Sequence, residues 1–409
     1  MRWANFFHIY QPPRWPRTVV AKVARESYRP LVKFLLLHPR VRITLNISGS
    51  LTEQLVARRS FSDIITGVRT LLGRGQIELT ESAMYHAILP LLPDHEVKHQ
   101  VLLNHATNRK TFGAAYRPQG FFPPEMAYSP KLGKLLNSLG YRWVLLDGIS
   151  HPNIVDYLTR YRINGTTLSA LFRNRYVSDY LAFEMKRSGT KQFLETVERW
   201  SHQRDLLITG MDGENLGHHR HITKRLWQSL VRQPHIETIT LSELLSSLRS
   251  TKTITPHSAS WSSSRAALGR GVPFELWKNP SNPLHALQWE LFSIVHTLIH
   301  TQERATRYPI SLRNEFDQAV ASDWYWWASR EPWWDVNIVV SAARRLQVIG
   351  EECGPNPNES ERIRALVERI SSLAQRWHRT GAAQRHAARF LKGAQTPRYL
   401  GGKSVNYKQ

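Results

Sequence analysis

Residues 2 to about 250 alternate short apolar runs with longer segments of helical period, and this alternation constrains the fold more than any other feature. Eight runs are predicted as strands: RWANFFHIY (2–10), VRITLNI (41–47), GQIELTE (75–81), GFFPP (120–124), RWVLLD (142–147), TTLSALF (166–172), DLLITGM (205–211) and HIETITL (235–241). Helices are predicted between them near 17–37, 50–73, 94–113, 130–140, 189–203 and 219–232. Because strands that alternate with helices form parallel βαβ units, the simplest expectation is a (β/α) barrel.

The composition changes after about residue 250. Ser, Thr, Pro, Gly and Arg dominate up to residue 283, which is typical of a linker or a long functional loop. Only helices are predicted beyond it, over 284–306, 311–329, 333–351 and 357–391. The sequence therefore predicts four parts: a catalytic barrel (1–255), a linker or cleft loop (256–283), a helical domain (284–391) and a basic tail (392–409).

Composition narrows the class of protein. The only cysteine, Cys353, leaves no intramolecular disulfide to form, and no stretch approaches the 18 apolar residues of a membrane helix. The N-terminal segment reaches His8, Gln11 and two prolines too early for a signal peptide, so a soluble cytoplasmic protein without a membrane partner is expected.

The formal net charge of +23 raises the question of an anionic partner. Nine Lys and Arg residues, and no Asp or Glu, follow Glu368. However, the sequence contains no zinc-finger spacing, no Walker loop and no RNA-binding motif with interleaved aromatics. Nucleic acid is therefore not expected as a partner, and a basic balance that maintains solubility is the simpler interpretation.

Polar side chains stand where the predicted strands end, which is where (β/α) barrels carry their reactive groups. The candidates, in chain order, are His8, Tyr10, Gln11, Glu78, Glu81, Tyr85, His86, Glu125, Asp212, Glu214 and His218. They include several carboxylates, but no nucleophilic serine in a G-x-S-x-G turn.

Paired carboxylates at facing strand ends suit glycoside hydrolysis. One ionised carboxylate attacks the anomeric carbon, while a protonated partner donates to the leaving oxygen and later activates water. The two pKa values must therefore differ, so one acid should lie in a drier place or closer to another negative charge. The neighbouring charge of Glu214 could keep Asp212 protonated.

A metal site is the alternative for the same residues. HHRH at 218–221 could supply imidazole ligands, and a metal-dependent polysaccharide deacetylase on a related barrel is the competing enzyme class. The segment lacks the H-E-x-x-H pattern and lies beside arginines, which also fits the basic start of a helix. We expect no metal and no cofactor.

Five segments together resemble the motifs of glycoside hydrolase family 57, a group of enzymes that act on α-glucans. They are HIYQPP (8–13), GQIELTESAMYHAILPLLP (75–93), FFPPEMAYSPKL (121–132), MDGENLGHH (211–219) and SDWYWW (322–327). They occur in the family's order at fitting spacings, and the resemblance extends to about residue 350.

The resemblance implies roles for individual residues. Glu125 would be the nucleophile and Asp212 the general acid/base of a retaining α-amylase or 4-α-glucanotransferase, with α-glucan as the substrate. His8, Glu78, Glu214 and Asp323 would contact the sugar next to the scissile bond. Further substrate-binding candidates are Tyr10, Gln11, His86, His218, Trp277 and Trp324. The implied fold is an incomplete, TIM-like (β/α)7 barrel followed by a C-terminal helical bundle that completes the cleft.

Three residues depart from the family pattern. Tyr10 replaces the second His of the opening motif, Leu216 replaces a Phe, and Ala87 stands where many members have Pro. None of these changes removes a catalytic carboxylate. A non-catalytic glycan-binding homologue on the same fold is a further alternative, against which the presence of both Glu125 and Asp212 argues.

Overall fold

The computed structural model describes residues 1–185, 189–201, 205–304 and 309–393. They form two compact units, which are described separately: the first unit, Met1–Trp261, and the second unit, whose described residues lie between Ser262 and Gly393. No helix among the described residues has the length and apolar character needed to cross a membrane.

The first unit contains all the strands found in the described part of the chain. The strands are β1 (Arg2–Ile9), β2 (Ile43–Ile47), β3 (Ile77–Leu79), β4 (Gly120–Phe121), β5 (Trp143–Asp147), β6 (Thr159–Ile163), β7 (Ser169–Arg173), β8 (Leu206–Asp212), β9 (Glu237–Ile239) and β10 (Ser250–Ile254). Its helices are α1 (Arg17–Val23), α2 (Arg29–Leu37), α3 (Gly49–Val56), α4 (Ser62–Gly73), α5 (Asp94–Phe112), α6 (Pro130–Ser138), α7 (Arg175–Asp179), α8 (Gly189–Ser201), α9 (His221–Leu230) and α10 (Leu241–Ser247).

All eight predicted strands are confirmed, but β6 and β10 were not predicted. These two strands pair in parallel with each other, and β10 has four of its five residues exposed. Its sequence, STKTI, is polar, as an exposed strand at a sheet edge can be. The same composition is typical of a loop, which is why a linker or loop was predicted here.

Seven strands of the described chain form an incomplete barrel, as predicted. One sheet has the order β3-β2-β1-β8, and the other contains β7-β5-β4, with parallel pairing throughout these runs. A bridge between Glu81 and Phe121 joins β3 to β4, and the Asn174 N–H donates to the Ile208 carbonyl (2.8 Å) between β7 and β8. The common TIM barrel has eight strands, so this one is a strand short.

Alternation along the strands separates the inside of the barrel from the outside. Phe7 and Ile9 of β1 pack in the cluster that also contains the helices, whereas Ala4 and Phe6 pack in an inner cluster with Trp143 and other strand residues. Successive strand side chains point to opposite faces. His8, two residues after Phe6, therefore points inward, as the end residues of other strands do.

Trp143, the first residue of β5, fills the inner cluster near the amino ends of the strands. Its ring packs against Gly120, where an added Cβ would lie 2.0 Å from a ring atom, and its indole N–H donates to the Ser242 hydroxyl (2.9 Å). This apolar layer closes the amino end of the barrel, so the polar side chains that follow lie toward the carboxyl ends.

The second unit is helical, as predicted. Its helices are α11 (Arg265–Gly269), α12 (Pro283–Arg304), α13 (Ile310–Ala319), α14 (Asp323–Ser329), α15 (Val336–Glu352), α16 (Pro357–Arg379) and α17 (Ala382–Gly393). The helix predicted over 357–391 is two helices, because Gly381 adopts a left-handed conformation (φ 68°) that ends α16. The predicted tail lies outside the described residues from residue 394 onward.

Candidate active site

A layer of polar side chains lies inside the barrel at the carboxyl ends of its strands. His8 is in register with Asn46 on β2 and with Asp212 on β8. The His8 Nδ1 atom is hydrogen-bonded to Asn46 Oδ1 (2.8 Å), and the Asn46 amide donates to the Thr80 hydroxyl (3.1 Å). Because an amide oxygen only accepts, Nδ1 carries the proton in this arrangement and Nε2 is left as an acceptor.

His8 is buried, and its Nε2 atom has no hydrogen-bond partner among the described residues. Burial lowers the pKa of His8 to about 4, although the hydrogen bond to Asn46 acts in the opposite direction. The imidazole is therefore neutral at pH 7 and presents an unsatisfied acceptor. A buried polar atom of this kind is costly unless a ligand or water satisfies it.

Glu125 lies in a tight turn directly after β4. Pro123 and Pro124 end the strand, since neither has an N–H to donate, and a short helical turn over Pro124–Met126 follows. Glu125 itself adopts a left-handed conformation (φ 59°, ψ 17°), as does Met126 (φ 49°). Residues other than glycine rarely adopt this conformation, and those that do concentrate at functional sites.

Trp261 holds the Glu125 turn in place. Its backbone N–H donates to the Glu125 carbonyl (3.0 Å), and its indole N–H donates to Glu125 Oε2 (2.5 Å). Two residues earlier, Ala259 exchanges a pair of backbone hydrogen bonds with Tyr128. The segment 259–261 therefore runs antiparallel to the turn and fixes both the backbone and the carboxylate of Glu125.

Arg173, at the end of β7, connects the surroundings of the two predicted catalytic carboxylates. Its guanidinium lies 5.3 Å from the centre of the Trp261 ring, and its Nη1 donates to the Gly210 carbonyl (2.7 Å), two residues before Asp212. It also pairs with Asp147 (2.6 Å) and with Asp179 (3.3 Å). The structure thus brings Glu125 and Asp212 to one site through Trp261 and Arg173.

Asp212 is partly buried at the end of β8, and burial raises its pKa to about 6 despite the opposing effect of Arg173. A raised pKa was predicted, either from a drier position or from a neighbouring negative charge such as that of Glu214. Desolvation raises the pKa of Asp212, and the repulsion between the two acids adds to the rise at Glu214. The result is a carboxyl group that is protonated in mildly acidic solution and ionised above it.

Glu214 is the more strongly perturbed acid. Burial and the nearby Asp212 raise its pKa to about 8, although hydrogen bonds oppose the rise. Its Oε1 atom accepts from the Tyr28 hydroxyl, from the Tyr10 backbone N–H (3.2 Å) and from the Gln11 amide (3.4 Å). Glu214 is therefore mostly neutral at pH 7, and three donors fix its orientation.

Tyr10 stacks on His86 with ring centres 4.1 Å apart, and His86 in turn stacks on His8 at 4.8 Å. His86 adopts a left-handed conformation (φ 60°), and burial lowers its pKa well below the usual value. The phenol that replaces the family's second histidine thus forms one end of a stack of three rings beside the interior of the barrel.

Glu78 points into the barrel but one layer deeper than His8. It is in register with Thr44, whose hydroxyl donates to it (3.1 Å), and the Ser242 hydroxyl and N–H donate as well. Glu78 is thus held between the strands and the start of α10, away from the layer that contains His8 and Asp212. Its predicted sugar contact stays a prediction.

Among the described residues, His218 belongs to no group of His, Cys, Asp and Glu side chains that could hold a metal ion. Its Nδ1 atom lies 2.6 Å from Glu26 Oε2, and its backbone N–H donates to the Glu214 carbonyl (3.0 Å). His218 thus belongs to the loop that follows Asp212, and its predicted sugar contact stays a prediction.

Three predicted residues belong to the second unit. Trp277 is buried, Asp323 is the first residue of α14, and Trp324 donates its indole N–H to the Gln318 carbonyl (3.1 Å). Their predicted roles in substrate binding stay predictions.

Sequence reasoning missed Asn46, Arg173 and Trp261. Asn46 and Arg173 could have been found, because each is a polar residue on the inward side of a predicted strand near its end. Trp261 gave no such signal, since it lies in a Ser-rich segment that was predicted as a linker or a cleft loop without a named site residue before Trp277. Only the pairing of that segment with residues 125–128 connects it to the site.

Arg173 also supports the fold. It is 4% exposed, and Asp147 is completely buried, so Arg173→Met would remove the nearer of the two arginines that pair with Asp147. Loss of one partner from a buried ion pair typically costs about 3–5 kcal/mol. We expect a decrease of that size in the free energy of unfolding, measured by urea denaturation.

The matched control for this prediction is Lys131→Met, which removes an exposed ion pair with Asp94 in the same unit. An exposed pair contributes about 0–1 kcal/mol, so the control should unfold close to the wild type. Equal effects of the two substitutions would contradict a supporting role for Arg173.

Comparison with known proteins places this site in a family. The model of glycosyl hydrolase family 57 matches residues 5–256. An α-amylase of Pyrococcus horikoshii is 29% identical over 140 residues, which are 34% of this chain and 21% of that protein. A 4-α-glucanotransferase of Thermococcus litoralis is 28% identical over 142 residues, which are 34% of this chain and 20% of that protein. The matched part thus spans about a fifth of the length of these relatives.

A solved structure shows the same fold. The family 57 branching enzyme of Thermococcus kodakaraensis superposes with a TM-score of 0.65 at 17% identity, over 97% of this chain and 96% of that chain. The family model covers more than half of this chain and includes the segments that contain His8, Glu125 and Asp212. The chain belongs to glycosyl hydrolase family 57.

Proposed function

We propose that this chain is a retaining glycosidase or transglycosylase that acts on α-glucans, with Glu125 as nucleophile and Asp212 as general acid/base. The observation that carries the proposal is the contrast between two carboxyl groups at one site. Glu125 accepts an indole N–H at 2.5 Å, whereas desolvation raises the pKa of Asp212 to about 6. Retaining glycosidases need one carboxylate that attacks and one carboxylic acid that donates.

The first step uses both groups at once. The Glu125 carboxylate attacks the anomeric carbon, and the proton of Asp212 moves to the glycosidic oxygen as its bond to that carbon breaks. In the second step the ionised Asp212 removes a proton from water or from a sugar hydroxyl, which displaces Glu125. This mechanism requires the two carboxyl groups to lie roughly 5–5.5 Å apart.

Two features of the site support binding of a sugar. The unsatisfied Nε2 atom of His8 can accept a hydrogen bond from a sugar hydroxyl, which would remove the cost of its burial. Trp261 is partly buried and its ring edge lies near His8, with centroids 6.4 Å apart. Aromatic rings with an apolar face and a polar N–H suit the mixed surface of a pyranose.

The alternative, metal-dependent deacetylation, has less support. It needs His and Asp ligands that converge on one point. Within the described residues of the first unit, no three His, Cys, Asp or Glu side chains come within ligand distance of one another. His218 lies against Glu26 instead.

Product analysis tests the proposal. The purified protein should act on maltooligosaccharides, amylose or pullulan, and the mixture of chain lengths will separate hydrolysis from transfer. Proton NMR during the first minutes should show the α-anomer, because two displacements at one carbon restore its configuration. An initial β-anomer would contradict Glu125 as nucleophile, and binding of maltodextrin without any product would favour a non-catalytic homologue.

A further inference from the structure

Three consecutive side chains contact the loop that follows Asp212. The Ser27 hydroxyl donates to the Gly213 carbonyl (2.6 Å), the Tyr28 hydroxyl donates to Glu214, and Glu26 pairs with His218 (2.6 Å). Ser27 and Tyr28 are buried, and the His218 side chain is 7% exposed. One short stretch of chain therefore contacts both ends of residues 213–218, here called the acid/base loop.

This stretch is a π-helical turn, Ala24–Tyr28, between α1 and α2. The N–H of Arg29 donates to the carbonyl of Ala24, five residues earlier, where an α-helix would use the residue four earlier. Pro30 accounts for part of this geometry, because it has no N–H to offer to the Glu26 carbonyl. The wider turn spreads successive side chains less than an α-helix does, so neighbouring residues can reach one loop.

The backbone of the acid/base loop lies in direct contact with the backbone of this turn. Gly217 has a φ of +136°, and an added Cβ would lie 2.2 Å from the Glu26 carbonyl oxygen. No side chain fits there, so the backbones approach as closely as glycine permits. The contact therefore depends on three side chains of the turn and on the absence of a side chain at Gly217 in the loop.

We propose that the π-helical turn Ala24–Tyr28 is a clamp that positions the acid/base loop and excludes water from Asp212. Glu26, Ser27 and Tyr28 are then positioning residues of the reaction, and none of them touches the reacting atoms. This inference rests on the proposed function, because it assigns the clamp to the general acid/base of that reaction. Besides the clamp, the described residues place Arg173 on β7, Glu214 in the loop and His8 on β1 around Asp212, and the proposed nucleophile Glu125 belongs to the same site.

The test is a pH profile of kcat/KM for Glu26→Gln, Ser27→Ala and Tyr28→Phe. A loosened loop would admit water to Asp212, and the pKa of Asp212 would fall from about 6 toward its ordinary value. The alkaline limb of the profile would then move to lower pH, and kcat/KM at pH 7 would fall by roughly tenfold or more. Glu26→Gln keeps the shape of the side chain, so it remains informative if the buried variants fold poorly.

Arg29→Ala is the matched control. It changes the next residue of the same helix, whose side chain pairs with Asp63 and not with the loop, so the profile should stay in place. A uniform loss of activity at all pH values, without movement of the limb, would overturn the clamp and leave only a structural role.

Hydrogen–deuterium exchange separates this inference from the proposed function. Peptides that cover residues 213–218 should exchange faster in the three clamp variants than in the wild type or in Arg29→Ala. This measurement needs no activity, so it decides about the contact even if the wild type acts on no α-glucan, which would overturn the proposed function by itself. Unchanged exchange in all three variants would overturn the clamp.

Discussion

Glu125→Gln is expected to lower kcat on α-glucans by about a thousandfold or more, because an amide cannot attack the anomeric carbon. The amide has the shape of the carboxylate, so the fold should survive. The NH2 group would face the indole N–H of Trp261, however, unless the amide turns its oxygen toward it. Circular dichroism and the thermal midpoint should stay close to those of the wild type.

Two further proteins make this prediction specific. Glu237→Gln changes an exposed glutamate on β9 and should keep full activity. Glu125→Ala leaves a space for azide, which should restore turnover of an activated α-glycoside and give a β-glycosyl azide, since only one displacement then occurs. Full activity of Glu125→Gln would remove Glu125 from the mechanism.

Asp212→Asn is expected to reduce kcat/KM on α-glucans by about 10²–10⁴-fold, the usual contribution of general acid–base catalysis. The loss should depend on the leaving group. A glucan oxygen needs a proton to depart, whereas an aryl glycoside with a strongly acidic phenol does not, so its first step should slow far less. Equal losses on both substrates would contradict the role of Asp212 as the acid.

The pH profile adds a second measure of Asp212. Its raised pKa of about 6 means that the acid is protonated below this pH and ionised above it. In the wild type, kcat/KM should therefore fall roughly tenfold per pH unit above about pH 6. Asp212→Asn has no proton to lose, so its profile should lack this limb. If Asp212→Asn kept this alkaline limb, the limb would have to arise from the titration of another group.

Much of this candidate site could be predicted from the sequence, because the residues at the carboxyl ends of the strands of a (β/α) barrel all lie at one end of the barrel. Apolar runs of strand length alternate with helices, and the last inward residue of a strand lies at the mouth, as His8 and Asp212 do. The resemblance to the family motifs then predicted a nucleophile and an acid/base among these acids, and both roles stay predictions. The helices of the second unit were predicted from helical periodicity alone.

Other features depend on contacts between residues far apart in the chain. The Trp261–Glu125 hydrogen bonds join residues 136 positions apart, and the Glu26–His218 pair joins residues 192 apart. No local pattern records such a pairing, because propensity and periodicity act over a few residues. The strands β6 and β10 were missed for a related reason, since their polar sequences become strands only by pairing, β10 with β6 and β6 also with β7.

The sequence by itself determined the fold class, the strand ends that carry acids, and the family. Only the tertiary structure decided the protonation state of those acids. Asp212 and Glu214 are two positions apart, and their ordinary pKa values would leave both ionised at pH 7. Burial raises the pKa of Asp212 to about 6, and burial together with the nearby Asp212 raises the pKa of Glu214 to about 8. Dryness and proximity are properties of the packed molecule, so the chemistry of this site is fixed only when the chain has folded.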